Sequence, residues 1–121
     1  MHIEAFRTYC LSKPGTEESF PFDESTLVFK VMGKMFALCD VDDFTGFNAK
    51  CDPERAVELR EQYPEGIIPG YHSNKKHWNT VMTDAGVPDD LQRDLIDHSY
   101  DLVAAGLTKK LKDELEKLSQ R

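Results

Sequence analysis

The stretch Leu27-Val28-Phe29-Lys30-Val31-Met32-Gly33-Lys34-Met35-Phe36-Ala37-Leu38-Cys39-Asp40 decides the fold. Two runs rich in β-branched, aromatic and other apolar residues flank Met32-Gly33, a two-residue turn in which glycine supplies a positive φ. Pairing across that turn sets Phe29 opposite Phe36 and Leu27 opposite Leu38, on the same face as Val31. The other face then carries Val28, Lys30, Met35, Ala37 and Cys39. One face is the more apolar, so the hairpin is expected in a sheet that lies over a core on that side.

Upstream, Ile3, Phe6 and Cys10 recur at helical spacing from Met1 to Leu11, and Lys13-Pro14-Gly15 ends the pattern. Downstream, a strand is expected around Phe47–Cys51. Asp52-Pro53 then opens a helix, aspartate as N-cap and proline at the first helical position. Ala56, Leu59 and Tyr63 share one face of it. Ile67-Ile68-Pro69 reads as a short edge strand, because proline lacks the ladder donor. Trp78 to Met82 forms another strand, with Trp78, Thr80 and Met82 on one face. Pro88-Asp89-Asp90 begins a helix whose buried stripe is Leu91, Leu95, Leu102 and Val103 and which ends at Gly106. Leu111, Leu115 and Leu118 mark a last helix. The order implies a single α+β domain over residues 1–121, an antiparallel sheet covered by helices, with a C-terminal helical extension at about 107–121.

The 121 residues suit one compact domain that hides about two-thirds of its unfolded surface. No apolar run reaches the roughly 18 residues of a membrane-spanning helix, and the N-terminus lacks the basic start and apolar stretch of a signal peptide. A cytoplasmic location with no membrane partner is the expectation. Cys10, Cys39 and Cys51 form no close pair, so they are expected as reduced thiols, at least some filling core space. The net charge of −7 removes the whole-protein basic field usual in nucleic-acid binders; any such binding has to come from a local patch.

The segment Tyr71-His72-Ser73-Asn74-Lys75-Lys76-His77-Trp78-Asn79 is the best local candidate. No acid occurs between Glu65 and Asp84, in an otherwise acidic chain. Ammonium groups for charge, amides and imidazoles for directed hydrogen bonds, and an aromatic plane for stacking would together hold an anion. The structural alternative is a polar hairpin loop, with Trp78 anchoring the next strand in the core. His72 and His77 are five apart, a spacing that suits neither one helix face nor one strand face, so no metal site is read here. Asp40, Asp42 and Asp43 lack the glycine and distal glutamate of an EF-hand loop and read as a solvated turn. Asp94, Asp97 and Asp101 read as the wet face of a helix. No nucleophile motif or phosphate-cradling glycine loop is present, and neither an enzyme activity nor a cofactor is expected.

Taken together the chain resembles the MmcQ/YjbR family of small bacterial proteins. The resemblance rests on Tyr9-Cys10-Leu11-Ser12-Lys13-Pro14-Gly15 followed by Phe20-Pro21-Phe22, on Phe29 to Leu38, and on Tyr71 to Asn79. Ser99-Tyr100-Asp101-Leu102-Val103 fits the family's helix near the end. The resemblance implies an α+β fold with an antiparallel sheet, described as CyaY-like and as similar to type III secretion chaperones. It also implies DNA binding, the label that members often carry, through a double-wing arrangement of hairpins. The helix Leu111–Arg121 departs from relatives that stop sooner. The leading expectation is a non-enzymatic, nucleic-acid-binding module using His72, Asn74, Lys75, Lys76, His77 and Trp78, with Lys30 and Lys34 as helpers. The alternative is a protein-interaction or chaperone-like adaptor, which an exposed apolar patch would favour. Oligomeric state is not legible.

Overall fold

The structure, a computed structural model, describes residues 1–70 and 74–120. Among these residues, six strands form one antiparallel sheet: β1 (Thr16–Ser19), β2 (Thr26–Val31), β3 (Lys34–Asp40), β4 (Gly46–Lys50), β5 (Ile67–Pro69) and β6 (Trp78–Met82), in the spatial order β1-β2-β3-β4-β6-β5. Four helices accompany it: α1 (Ile3–Leu11), α2 (Pro53–Gln62), α3 (Asp89–Ala105) and α4 (Lys109–Ser119). The α+β expectation holds, and Ile67–Pro69 is indeed at an edge. The opposite edge, β1, was not foreseen: Thr-Glu-Glu-Ser carries no apolar alternation, and it is a strand because β2 offers it an unpaired backbone.

The helix caps form as the sequence requires. Asp52 accepts the Arg55 N–H at 3.1 Å ahead of Pro53, and Thr108 accepts the Leu111 N–H at 3.3 Å to start α4. Each helix sends buried side chains into one cluster, among them Phe6 from α1, Ala56 and Leu59 from α2, Leu95 and Ile96 from α3, and Leu115 from α4. All four therefore serve the same sheet face. Phe6 is the hub, edge-on to Phe29 at 5.4 Å and stacked on Phe47 at 4.8 Å. The buried stripe of α3 is wider than its leucines suggest. It includes Ile96 and Tyr100 and the polar Gln92 and Ser99, whereas Leu91 and Leu102 are only half-buried. Asp94 and Asp97 on its outer side are ion-paired with Arg55 and Lys13. Cys10, Cys39 and Cys51 are all free and buried.

The hairpin register corrects the expected one. Leu27 pairs with Cys39, Val28 with Leu38, Phe29 with Ala37 and Lys30 with Met35, so Phe36 has no partner and forms a bulge. The turn is as expected, except that Met32 also takes a positive φ, 48°, alongside 86° at Gly33. Both central residues of this turn class need the left-handed region. The bulge keeps Phe29 and Phe36 on the same helix-covered side, and it adds Ala37 and Cys39 to that side. Leu38 moves to the other face, beside Val28. The physical reason is that one extra residue inverts the alternation beyond it.

The bulge also leaves a gap between β3 and β4, which pair only at Ala37–Ala49 and Leu38–Asn48. Ser99 closes the gap on the helix side. Its hydroxyl donates to the Phe36 carbonyl and accepts the Lys50 N–H at 2.8 Å, so α3 completes hydrogen bonds that the ladder does not make.

Candidate nucleic-acid interface

Residues paired across antiparallel strands share a face, and the face away from the helices has three rows. Glu17, Lys30 and Met35 lie in one row, with Lys50 and Trp78 continuing it across β4 and β6. Ser19, Val28, Leu38, Asn48, Thr80 and Ile68 form the middle row. Thr26 and Asp40 begin the third, with Gly46 and Met82 beyond them. The Met32-Gly33 turn, Lys34 and the segment Asn74–His77 all lie at the end of the first row. The topology thus gathers Lys30, Lys34, Lys50, Lys75 and Lys76 at one end of the sheet. Asp23, Asp40, Asp42, Asp43 and Asp84 lie at the other. Lys30 and Trp78 are three inter-strand steps apart, about 14 Å, which is comparable to the width of a duplex groove.

None of these five lysines enters an ion pair among the described residues. Three have carboxylates close by: Lys30 is opposite Glu17, Lys50 is two residues before Asp52, and Lys76 lines a shallow hollow on α2 together with Glu54 and Glu58. Lys34 and Lys75 make up the rest.

The loop itself is held by backbone and amide hydrogen bonds. The Asn74 side chain accepts the Lys76 N–H at 2.9 Å, and its carbonyl accepts those of His77 and Trp78 at 3.1 and 2.9 Å. The Cys51 N–H donates to the His77 carbonyl at 2.7 Å. Arg60, reaching from α2, donates through Nε to Asn79 Oδ1 at 2.7 Å and through Nη2 to the Lys75 carbonyl. Gly70 lies so close to β6 that a Cβ there would be 2.9 Å from Trp78 Cβ and 3.0 Å from its carbonyl oxygen.

Of the residues singled out from the sequence, Asn74, Lys75, Lys76, His77 and Trp78 do share this end with Lys30 and Lys34. His72 lies outside the described residues, as do Tyr71 and Ser73. Trp78 is 9 % exposed and shares the helix-free face with Thr80 and Met82, as alternation required. It therefore anchors β6 from the side opposite the main core, and so little exposed surface leaves no open plane for stacking a base. Two residues of this end were missed. Lys50 was visible only as the last residue of a strand, and Arg60 is brought in by the docking of α2. Among the described residues no three His, Cys, Asp or Glu side chains are placed to hold a metal ion. No helix there is long and apolar enough to cross a membrane.

The family model for YjbR matches residues 11–102. The chain belongs to the YjbR family. It is 38% identical over 108 residues to the uncharacterised protein YbdF of Escherichia coli O157:H7, covering 88% of each chain. It is 37% identical to YjbR of Escherichia coli K12, over 83% of this chain and 85% of that one. In three dimensions it is similar to the crystal structure of the Deinococcus radiodurans protein DR2400, of domain family DUF419. That match has a TM-score of 0.87 and 45% identity, over 94% of this chain and 87% of the other. A Pseudomonas syringae protein is similar at TM-score 0.71 and 27% identity, over 84% of this chain and 98% of that one. The YjbR family and the single-domain α+β fold with an antiparallel sheet, both expected from the sequence, are thereby shown.

Proposed function

We propose that this YjbR-family protein is a non-enzymatic module that binds nucleic acid through phosphate contacts at the lysine-bearing end of its sheet. The observation that carries this is the segregation of charge. Five lysines from four separate segments meet at one end, free of ion pairs among the described residues, in a chain of net charge −7. With Trp78 buried, contacts go to the phosphate backbone rather than to stacked bases, so affinity depends little on sequence and steeply on salt. The thiols do not suggest catalysis. Burial, the largest influence, pushes Cys51 up to about 11 and Cys39 up to about 12, leaving neither as a thiolate at neutral pH.

Titration of labelled duplex and single-stranded DNA at several salt concentrations tests this. The double substitution Lys75→Ala/Lys76→Ala is expected to weaken binding similarly across sequences. It should flatten the slope of log affinity against log salt by about two, roughly one per lost phosphate contact. No binding by the parent protein at low salt, or binding indifferent to the substitution, refutes the proposal. The adaptor function would then take its place, supported by Phe20 and Phe22, which are 49% and 67% exposed on the loop between β1 and β2.

A further inference from the structure

Beyond Leu38 and Asn48 the strands β3 and β4 are no longer paired. Their divergence opens a cleft of about 360 Å³ on the helix-free face, at the end of the sheet opposite the lysines. Its rim carries the exposed carboxylates of Asp40 and Asp43, and among the described residues neither lysine nor arginine lines it. Leu38, buried on this face, forms an apolar part of its wall, whereas the Phe47 ring lies on the other side of the sheet against Phe6. Asn48, only 5% exposed, also lines it. The Asn48 side-chain carbonyl accepts the Thr80 hydroxyl, while its amide nitrogen, which has no partner among the described residues, is not fully buried and stays open to a ligand.

These groups call for a ligand of matching order: a cation at the rim, an aliphatic stem along the wall, and a hydrogen-bond acceptor for the Asn48 amide. Asn48 is opposite Leu38, two residues along β3 from Asp40, a separation of about 7 Å. The extended side chain of a basic amino acid bridges such a distance. A bare metal ion fits poorly, because a space this wide cannot supply a close shell of oxygen ligands.

We propose that this cleft binds a basic amino-acid residue. The guanidinium or ammonium group sits between Asp40 and Asp43, the stem lies on Leu38, and the carbonyl oxygen accepts from Asn48 Nδ2. The residue is either a free amino acid or part of a peptide, and the two sources share this chemistry. The site is independent of the lysine-bearing end and of what binds there.

The test is a titration of the isotope-labelled full chain followed by amide NMR, with five probes: arginine amide, citrulline amide, agmatine, the tripeptide Gly-Arg-Gly, and calcium chloride. Arginine amide is expected to shift the Asn48 side-chain amide and the backbone amides of Cys39, Gly46 and Phe47, and to saturate. Citrulline amide, which keeps the α-ammonium but lacks the side-chain charge, should bind about tenfold more weakly, and so should arginine amide to Asp40→Asn/Asp43→Asn. Asparagine at position 40 keeps the oxygen that accepts the Asp42 and Asp43 N–H groups, so the loop is retained. Agmatine, which has the cation and stem but no carbonyl, should bind more weakly than arginine amide and leave the Asn48 amide unshifted. Saturation by arginine amide marks a free amino acid as sufficient, and saturation by Gly-Arg-Gly alone marks a peptide as the source; either supports the site. Citrulline amide binding as well as arginine amide overturns it. So do shifts spread over exposed carboxylates elsewhere, saturation by calcium but by none of the organic cations, or no saturation by any probe.

Discussion

Replacing Ser99 by alanine removes one oxygen atom from a fully buried site and should destabilise the protein far more than that volume suggests. The hydroxyl donates to the Phe36 carbonyl and accepts the Lys50 N–H at 2.8 Å. Neither residue is in the register between β3 and β4, because the bulge at Phe36 interrupts the ladder there. With alanine in place, a buried carbonyl and a part-buried N–H lose this partner, and a buried polar group left unpaired costs about 1–3 kcal/mol. A total of about 3 kcal/mol is expected. For a chain of 121 residues the unfolding entropy is about 0.25 kcal/mol/K, so the melting temperature should fall by about 12 °C. Thermal and urea denaturation measure it, with hydrogen exchange at Lys50 as a local probe. A fall of less than about 2 °C, with Lys50 exchange unchanged, would show that α3 does not complete the hydrogen bonding of the split sheet.

Other perturbations are expected to behave as follows. Arg60→Met keeps the side-chain stem but removes its bonds to Asn79 on β6 and to the Lys75 carbonyl, leaving the Asn79 side-chain amide, 2% exposed and with Nδ2 already lacking a partner, without any. A loss of about 2 kcal/mol is expected, and Arg60→Met/Asn79→Leu should recover part of it; a double variant no more stable than the single one contradicts this account. Trp78→Ala should cost about 3 kcal/mol, and an unchanged melting temperature would instead mean that the indole is available to a ligand. Burial, and after it the Arg55 guanidinium, holds His98 below its ordinary 6.5 against the opposing pull of Asp94, Asp52 and Asp101. Its neutral Nε2 accepts the Asp52 N–H, so this contribution is complete above pH 6.5 and is lost as pH falls through the lowered value. Melting temperatures between about pH 8 and pH 5 should therefore decline in the parent and decline less in His98→Gln; equal slopes would exclude the histidine as the cause.

What the sequence by itself determined is what depends on neighbours along the chain. The Met32-Gly33 turn, the Asp52-Pro53 helix start, the strand Trp78–Met82 and the apolar stripes of the helices are all set by local dihedral preference and by periods of two and 3.6 residues. The lysine-rich segment at 74–76 was also legible, because an acid-free interval is visible in any acidic chain. Tertiary structure alone decided the rest. Thr16–Ser19 is a strand only because β2 has an edge to offer, and Phe36 bulges where Phe29, Phe36 and Ala37 can all face Phe6 and α3. Ser99 looks like any polar helix residue until the bulge gives it two backbone groups to satisfy. Lys50 and Arg60 join the candidate site because strand order and helix docking bring distant segments together, and those five lysines lie opposite Asp23, Asp40, Asp42, Asp43 and Asp84 for the same reason. Propensity and periodicity act over a few residues, whereas register, sidedness and charge separation arise from pairing between segments tens of residues apart, which no local pattern records.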